Sequence, residues 1–147
     1  MKISNNFSYK EVLKNEQPAM EIILNISHLI NSIMQPVRDK FGRIVITSGY
    51  RSPEYNRNVG GVKNSSHIYG NAVDFIVPNV ELKEVYKYIV ENFEYDKIIY
   101  SINLDVNAEW IHLASKINRK SNRGKALIEK ISSGKKEFTH YKKGGVI

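Results

Sequence analysis

Apolar residues at helical spacing, Ala19, Ile22, Ile23, Ile26, Leu29, Ile30 and Ile33, are followed by a β-branched run, Arg43-Ile44-Val45-Ile46-Thr47. This switch from helical to strand periodicity limits the fold: a helix with one apolar stripe must bury it, and the following strand offers the surface. Gln17-Pro18 opens the long helix, Pro36 removes a backbone bond and kinks it, and Gly42 stops it. Before it, Ser8 and Glu11 form a capping box for a short helix carrying Val12 and Leu13.

After the first strand, Ser52-Pro53 starts a short helix that runs to about Asn58. Asn71 to Val77 returns to strand pattern and ends at Pro78; Val73, Phe75 and Val77 share a core face, with Ala72, Asp74 and Ile76 on the other. Asn79 caps a helix whose Leu82, Val85, Tyr86, Ile89, Val90 and Phe93 form one apolar face. Tyr95 to Ile102 and Glu109 to Ala114 read as a strand hairpin. Ala126-Leu127-Ile128 and Glu137-Phe138-Thr139 flank Ser133-Gly134 as a second hairpin or a loose tail. Helices first, then strands interrupted by one helix, give an α+β fold: a mainly antiparallel sheet with N-terminal helices packed on one face.

The 147 residues suit one domain, residues 1–147, able to bury a core without cross-links. With 41% hydrophobic and 25% charged residues the composition is that of a globular chain, and no apolar run approaches a membrane span. The start, Met1 to Asn15, lacks the apolar core of a secretory signal, so the expected setting is cytoplasmic synthesis followed by release. A monomer is expected. The absence of cysteine excludes disulfides and thiolate ligands, so a zinc site here must use imidazole and carboxylate. A net charge of +7, weighted toward residues 119–147, predicts attraction to polyanions or simply a solvated basic surface. Specific nucleic-acid binding is not expected: there is no helix-turn-helix or RNA-binding motif, and Gly60-Gly61 lacks the spacing of a phosphate-binding loop.

The chemistry-bearing residues gather in Ser48 to Phe75, a stretch dense in turn formers, and in Glu109-Trp110-Ile111-His112. His67, Asp74 and His112 fit a zinc ligand set with an open fourth position, and Glu109 offers a base. Small residues at Gly70 and Ala72 suit close approach of the backbone to an ion or substrate. Strict strand alternation would send Glu109 and His112 to opposite faces, so Glu109 is expected at an irregular strand start or a bulge. Trp110 is expected in the core. His28 lies beside the apolar face of its helix and His140 in an exposed tail.

Ser65-x-His67-x-x-Gly70-x-Ala72-x-Asp74, followed by Glu109-Trp110-x-His112, resembles the signature of the zinc D-Ala-D-Ala carboxypeptidase family, which also includes dipeptidases and phage endolysins. Ser48-Gly49-Tyr50-Arg51-Ser52, Tyr55-Asn56 and Val59-Gly60-Gly61 are similar to its carboxypeptidase branch, and the resemblance covers about residues 7–118. It implies one Zn2+ held by His67, Asp74 and His112, Glu109 as catalytic base, and Arg51 near the substrate. Arg51 then clamps a substrate carboxylate or developing oxyanion, or it makes a structural ion pair with Glu54 or Asp74. Ser65 binds substrate or shapes its loop; Tyr50 and Tyr69 wall the pocket or pack. The implied activity is hydrolysis of peptidoglycan stem peptides, as a D-Ala-D-Ala carboxypeptidase or an L-Ala-D-Glu-type endopeptidase, with a phage or prophage lysis enzyme as the setting. Anionic wall polymers are the expected secondary partner. The alternative is a non-catalytic zinc-stabilised cell-wall-binding module.

Overall fold

The computed structural model describes residues 1–147. The helices are α1 (Tyr9–Leu13), α2 (Met20–Leu29), α3 (Gln35–Phe41), α4 (Pro53–Asn58) and α5 (Leu82–Asn92). The strands are β1 (Val45–Ser48), β2 (Ala72–Ile76), β3 (Lys97–Asn103), β4 (Ala108–Ala114), β5 (Lys125–Ser132) and β6 (Lys135–His140). They form one six-stranded sheet in the order β1-β2-β4-β3-β5-β6. Every pairing is antiparallel except β3 with β5. The expected α+β fold is the one observed.

One face of the sheet is covered and the other carries the site. Val73, Phe75, Ile98, Tyr100, Ile111, Leu113, Ala126 and Ile128 turn inward against Ile26 and Leu29 of α2, Ile30 just beyond its end, Val37 of α3 and Leu82, Val85, Tyr86 and Ile89 of α5. The alternation expected for β2 holds, with Val73 and Phe75 fully buried in this core. Ser8 caps α1 through the expected box with Glu11. Some boundaries shift: α2 starts at Met20, and α5 is capped at Glu81 because Asn79 takes a left-handed φ of 64° in the preceding turn. Before Pro36 the helix widens into a π-turn over Ile30–Met34, which buries Ile30, Ile33 and Met34 together and places Pro36 in the first turn of α3.

The C-terminal hairpin is part of the sheet. The link from β4 to β5 crosses over the end of β3, where the buried Asp96 carboxylate accepts from the Arg123 backbone N–H (3.1 Å), Nε (3.0 Å) and Nη2 (2.9 Å). Burial alone would raise this carboxyl; the Arg123 hydrogen bonds outweigh it and hold it below the usual carboxylate range. At the other end, Asp105 in the β3–β4 turn accepts from Ser133 and Gly134 in the β5–β6 turn (2.7 and 2.8 Å).

No helix is long and apolar enough to cross a membrane.

Candidate metal centre

Asp74 and His112 are direct cross-strand partners on β2 and β4, so their side chains stand together on the face away from the helices. β1 brings Ser48 opposite Asp74 only because its register shifts between Ile46 and Ser48; without that irregularity Ser48 would follow Ile46 into the core. His67 arrives from outside the sheet, on a single 3-10 turn, Ser66–Tyr69. Ser65 caps that turn by accepting from the His67 N–H (3.2 Å), a contact that shapes the loop. Gly70 ends the turn in a left-handed conformation, and a Cβ there would lie 2.6 Å from the Ile22 carbonyl of α2. The glycine is therefore required for packing against α2, not for approach to an ion. Asn25 of α2 adds a hydrogen bond to the Tyr69 carbonyl (2.9 Å).

One donor atom from each of His67, Asp74 and His112 lies within 4.8 Å of the others. His67 Nδ1 bonds the Gly49 carbonyl at 2.8 Å, which directs Nε2 toward Asp74 Oδ2, 3.3 Å away. His112 Nδ1 meets the other carboxylate oxygen at 2.8 Å. The carbonyl that orients His67 is itself held, because a Cβ on Gly49 would sit 2.4 Å from the Val12 carbonyl and the next residue, Tyr50, donates to that carbonyl (2.7 Å). Burial acts to raise the Asp74 carboxyl, but hydrogen bonds and charge from His112 and His67 prevail and keep it far below the carboxylate range. An ionised carboxylate and two imidazoles converging from separate elements are a set that fits zinc, and no cysteine is present to compete.

Arg51 completes the cluster. Its Nη2 lies 3.4 Å from Asp74 Oδ2, Nε donates to Ser48 Oγ (2.9 Å) and Nη1 to Asn56 Oδ1 (3.3 Å). Both the ion pair with Asp74 and a guanidinium presented at the site are thus realised. Asn56, 1% exposed, also donates to the Val62 carbonyl (2.8 Å), tying the Gly60-Gly61 loop to Arg51. Nothing in its local sequence singled out this amide as a positioning group except the Tyr55-Asn56 part of the resemblance. Tyr50 lines a cleft of about 360 Å³ with Glu16, Ser48, Ser52 and Tyr55. Burial, then the charge of Glu16, pushes the Tyr50 hydroxyl up. Tyr69 is half exposed.

Glu109 does not join this group. The β3–β4 register runs unbroken from Lys97–Ala114 to Asn103–Ala108, with no bulge to re-aim the side chain. Alternation therefore sends Glu109 to the helix-covered face, where the Tyr100 hydroxyl donates to it and it stands near Glu81, Leu82 and Lys83 at the start of α5. The one register shift near the site falls in β1 instead. Trp110 shares the His112 face and is no part of the core, contrary to its expected packing role. His28 lines a separate cleft with Glu91, Lys116 and Arg119, and His140 is exposed on β6.

No curated protein matches the chain. The family model described as Peptidase M15 matches residues 5–114, a span from α1 through β4 that includes His67, Asp74, His112 and Arg51, and the chain belongs to the M15 peptidase family.

Proposed function

We propose that this M15 peptidase is a zinc enzyme that hydrolyses peptide bonds in bacterial peptidoglycan stem peptides, as a D-Ala-D-Ala carboxypeptidase or an L-Ala-D-Glu-type endopeptidase. The observation that carries the reading is the convergence of His67, Asp74 and His112 within 4.8 Å. Two imidazoles and one carboxylate form a catalytic type of zinc set, in which the protein leaves a coordination position for water or substrate. When bound, zinc supplies Lewis acidity, polarising a scissile carbonyl and lowering the pKa of water.

The rest falls to the chain. The Gly49 carbonyl holds His67 in the tautomer that offers Nε2, and the β2–β4 pairing fixes Asp74 against His112. Arg51 is braced by Ser48 and Asn56, so its guanidinium stands beside the ligands at little further entropic cost. There it binds a substrate carboxylate or the oxyanion that develops on the carbonyl oxygen. The cleft beside Tyr50 and Tyr55 offers walls for the adjoining residue of the peptide. A net charge of +7 favours approach to anionic wall polymers. A phage or prophage lysis enzyme is a setting that this activity would serve.

Mass spectrometry of muropeptides from purified sacculi digested with the zinc-loaded protein tests the reading and identifies the bond cut. Appearance of free D-alanine, or of a new amine within the stem, is the expected result; unchanged muropeptides overturn it. The position of Glu109 on the opposite face is what a zinc-stabilised, non-catalytic wall-binding module would explain. Sacculi that retain the protein without being cut would select that second reading.

A further inference from the structure

The site face of the sheet continues past His112 across β3, β5 and β6. Register places Trp110, Ser101, Glu129 and Phe138 in one cross-strand row, beside the row that holds His112, Ile99, Leu127 and His140. Glu129 is 8% exposed, and Ser101 Oγ donates to its Oε1 at 2.7 Å. None of the protein's ion pairs includes it. Asp96, similarly buried, is by contrast met by the whole fork of Arg123. A covered carboxylate with one hydroxyl partner and no cation is costly to keep. Its second oxygen is not sealed either, since Asn71 Oδ1 is the buried side-chain atom left without a partner. Phe138, 50% exposed, is the neighbour of Glu129 in the row on one side, and Trp110, partly exposed, stands beyond Ser101 on the other. A carboxylate sharing a row with aromatic side chains suits an ammonium group, which gains a charge-assisted hydrogen bond and a cation–π contact.

We propose that Glu129, with Phe138 beside it and Trp110 beyond Ser101 in the same row, is a subsite for a primary ammonium group carried by the substrate peptide; this rests on the peptidase reading of the metal centre. From strand spacing and rise, the Glu129 position lies about 12 Å from that of His112. An extended peptide covers this in about three to four residues, fewer where the amine ends a long side chain. The ammonium is therefore an N-terminus or a side-chain amine upstream or downstream of the bond cut. β5 and β6 lie beyond the family match, so Glu129 and Phe138 come from outside the shared span, whereas Ser101 and Trp110 come from within it.

Trp110 is the only tryptophan, so its fluorescence reports occupancy. Zinc-loaded protein is mixed with L-Lys-D-Ala-D-Ala, its two monoacetyl forms and its diacetyl form, and emission is read before turnover. The unacetylated peptide is expected to bind about tenfold or more tightly than the diacetyl one. The monoacetyl form that keeps this advantage identifies the amine as α or ε. Glu129→Gln should abolish the advantage, and Phe138→Ala, at an exposed position where folding is not at stake, should reduce it about two- to fivefold. Equal binding of acetylated and free peptides by the wild type, or a preference that survives Glu129→Gln, overturns the subsite. Should Glu129→Gln fail to fold, an unchanged preference in Phe138→Ala overturns it. Equal loss of turnover on all four peptides in Glu129→Gln, with wild-type binding preference, would make Glu129 a proton-transfer group instead. An amine preference without cleavage of sacculi removes the peptidase reading alone; cleavage without the preference removes the subsite alone.

Discussion

His67 uses one ring nitrogen on the Gly49 carbonyl and turns the other to Asp74, and it is the member of the proposed zinc set contributed by a loop rather than by the sheet. His67→Ala should therefore lower bound zinc far below one equivalent by elemental analysis while β2 and β4 stay paired, because metal affinity depends on the deprotonated donor itself. Glu109 has the opposite expectation. Its carboxylate meets the Tyr100 hydroxyl on the helix side, so Glu109→Gln should leave hydrolysis of sacculi within about threefold of wild type, whereas loss of a general base costs about a hundredfold or more. A loss of that size would mean that β4 changes register when substrate binds. That His67, Asp74 and His112 come together was legible because they stand in multi-residue motifs; the facing of Glu109 depends on whether β4 bulges, and a three-residue separation alone leaves that open.

At the level of elements, the site depends on a short irregular strand and two glycines in tight quarters. β1 shifts register between Ile46 and Ser48, which sends Ile46 to the core and Ser48 to Asp74 and Arg51. Gly49 follows at once, pressed on Val12 of α1. Gly49→Ala should destabilise the protein by about 1–3 kcal/mol, seen as a lower urea midpoint, since backbone at 2.4 Å must give way. It should also weaken zinc retention against a chelator, because displacing the Gly49 carbonyl releases His67 Nδ1. Wild-type zinc retention in a destabilised Gly49→Ala would detach the two effects and show that Gly49 serves packing only. The apolar stripes that predicted α2 and α5 carried their information locally, and those helices stand where periodicity put them. The β1 irregularity carries none: it is visible only against β2.

Across the whole molecule, the sheet is closed on its far side by a hairpin whose attachment is electrostatic as well as apolar. Ala126, Ile128 and Tyr141 enter the core, Tyr86 donates to the Leu127 carbonyl (3.0 Å), and Asp96 grips Arg123 where the chain crosses over β3. From the sequence alone this segment is a hairpin or a loose tail, because β6 carries a single apolar residue, Phe138, and the parallel pairing of β5 with β3 joins distant stretches. Asp96 tests how the hairpin is held. Its carboxyl is depressed in the fold, burial being outweighed by the Arg123 hydrogen bonds, so the stability it contributes is present above the ordinary aspartate value of about 3.9 and is lost as pH falls through the folded value. Asp96→Asn should therefore cost about 2–3 kcal/mol in urea unfolding at neutral pH, and the gap to wild type should narrow as pH falls below about 4, where the unfolded carboxyl takes up its proton before the native one does. Because β5 carries Glu129 and β6 carries Phe138, the same variant at neutral pH should blunt the response of Trp110 fluorescence to amine peptides more than it alters zinc content. A pH-independent gap, or zinc lost in step with the fluorescence response, would show that the Asp96–Arg123 pair supports the sheet as a whole and not the hairpin in particular.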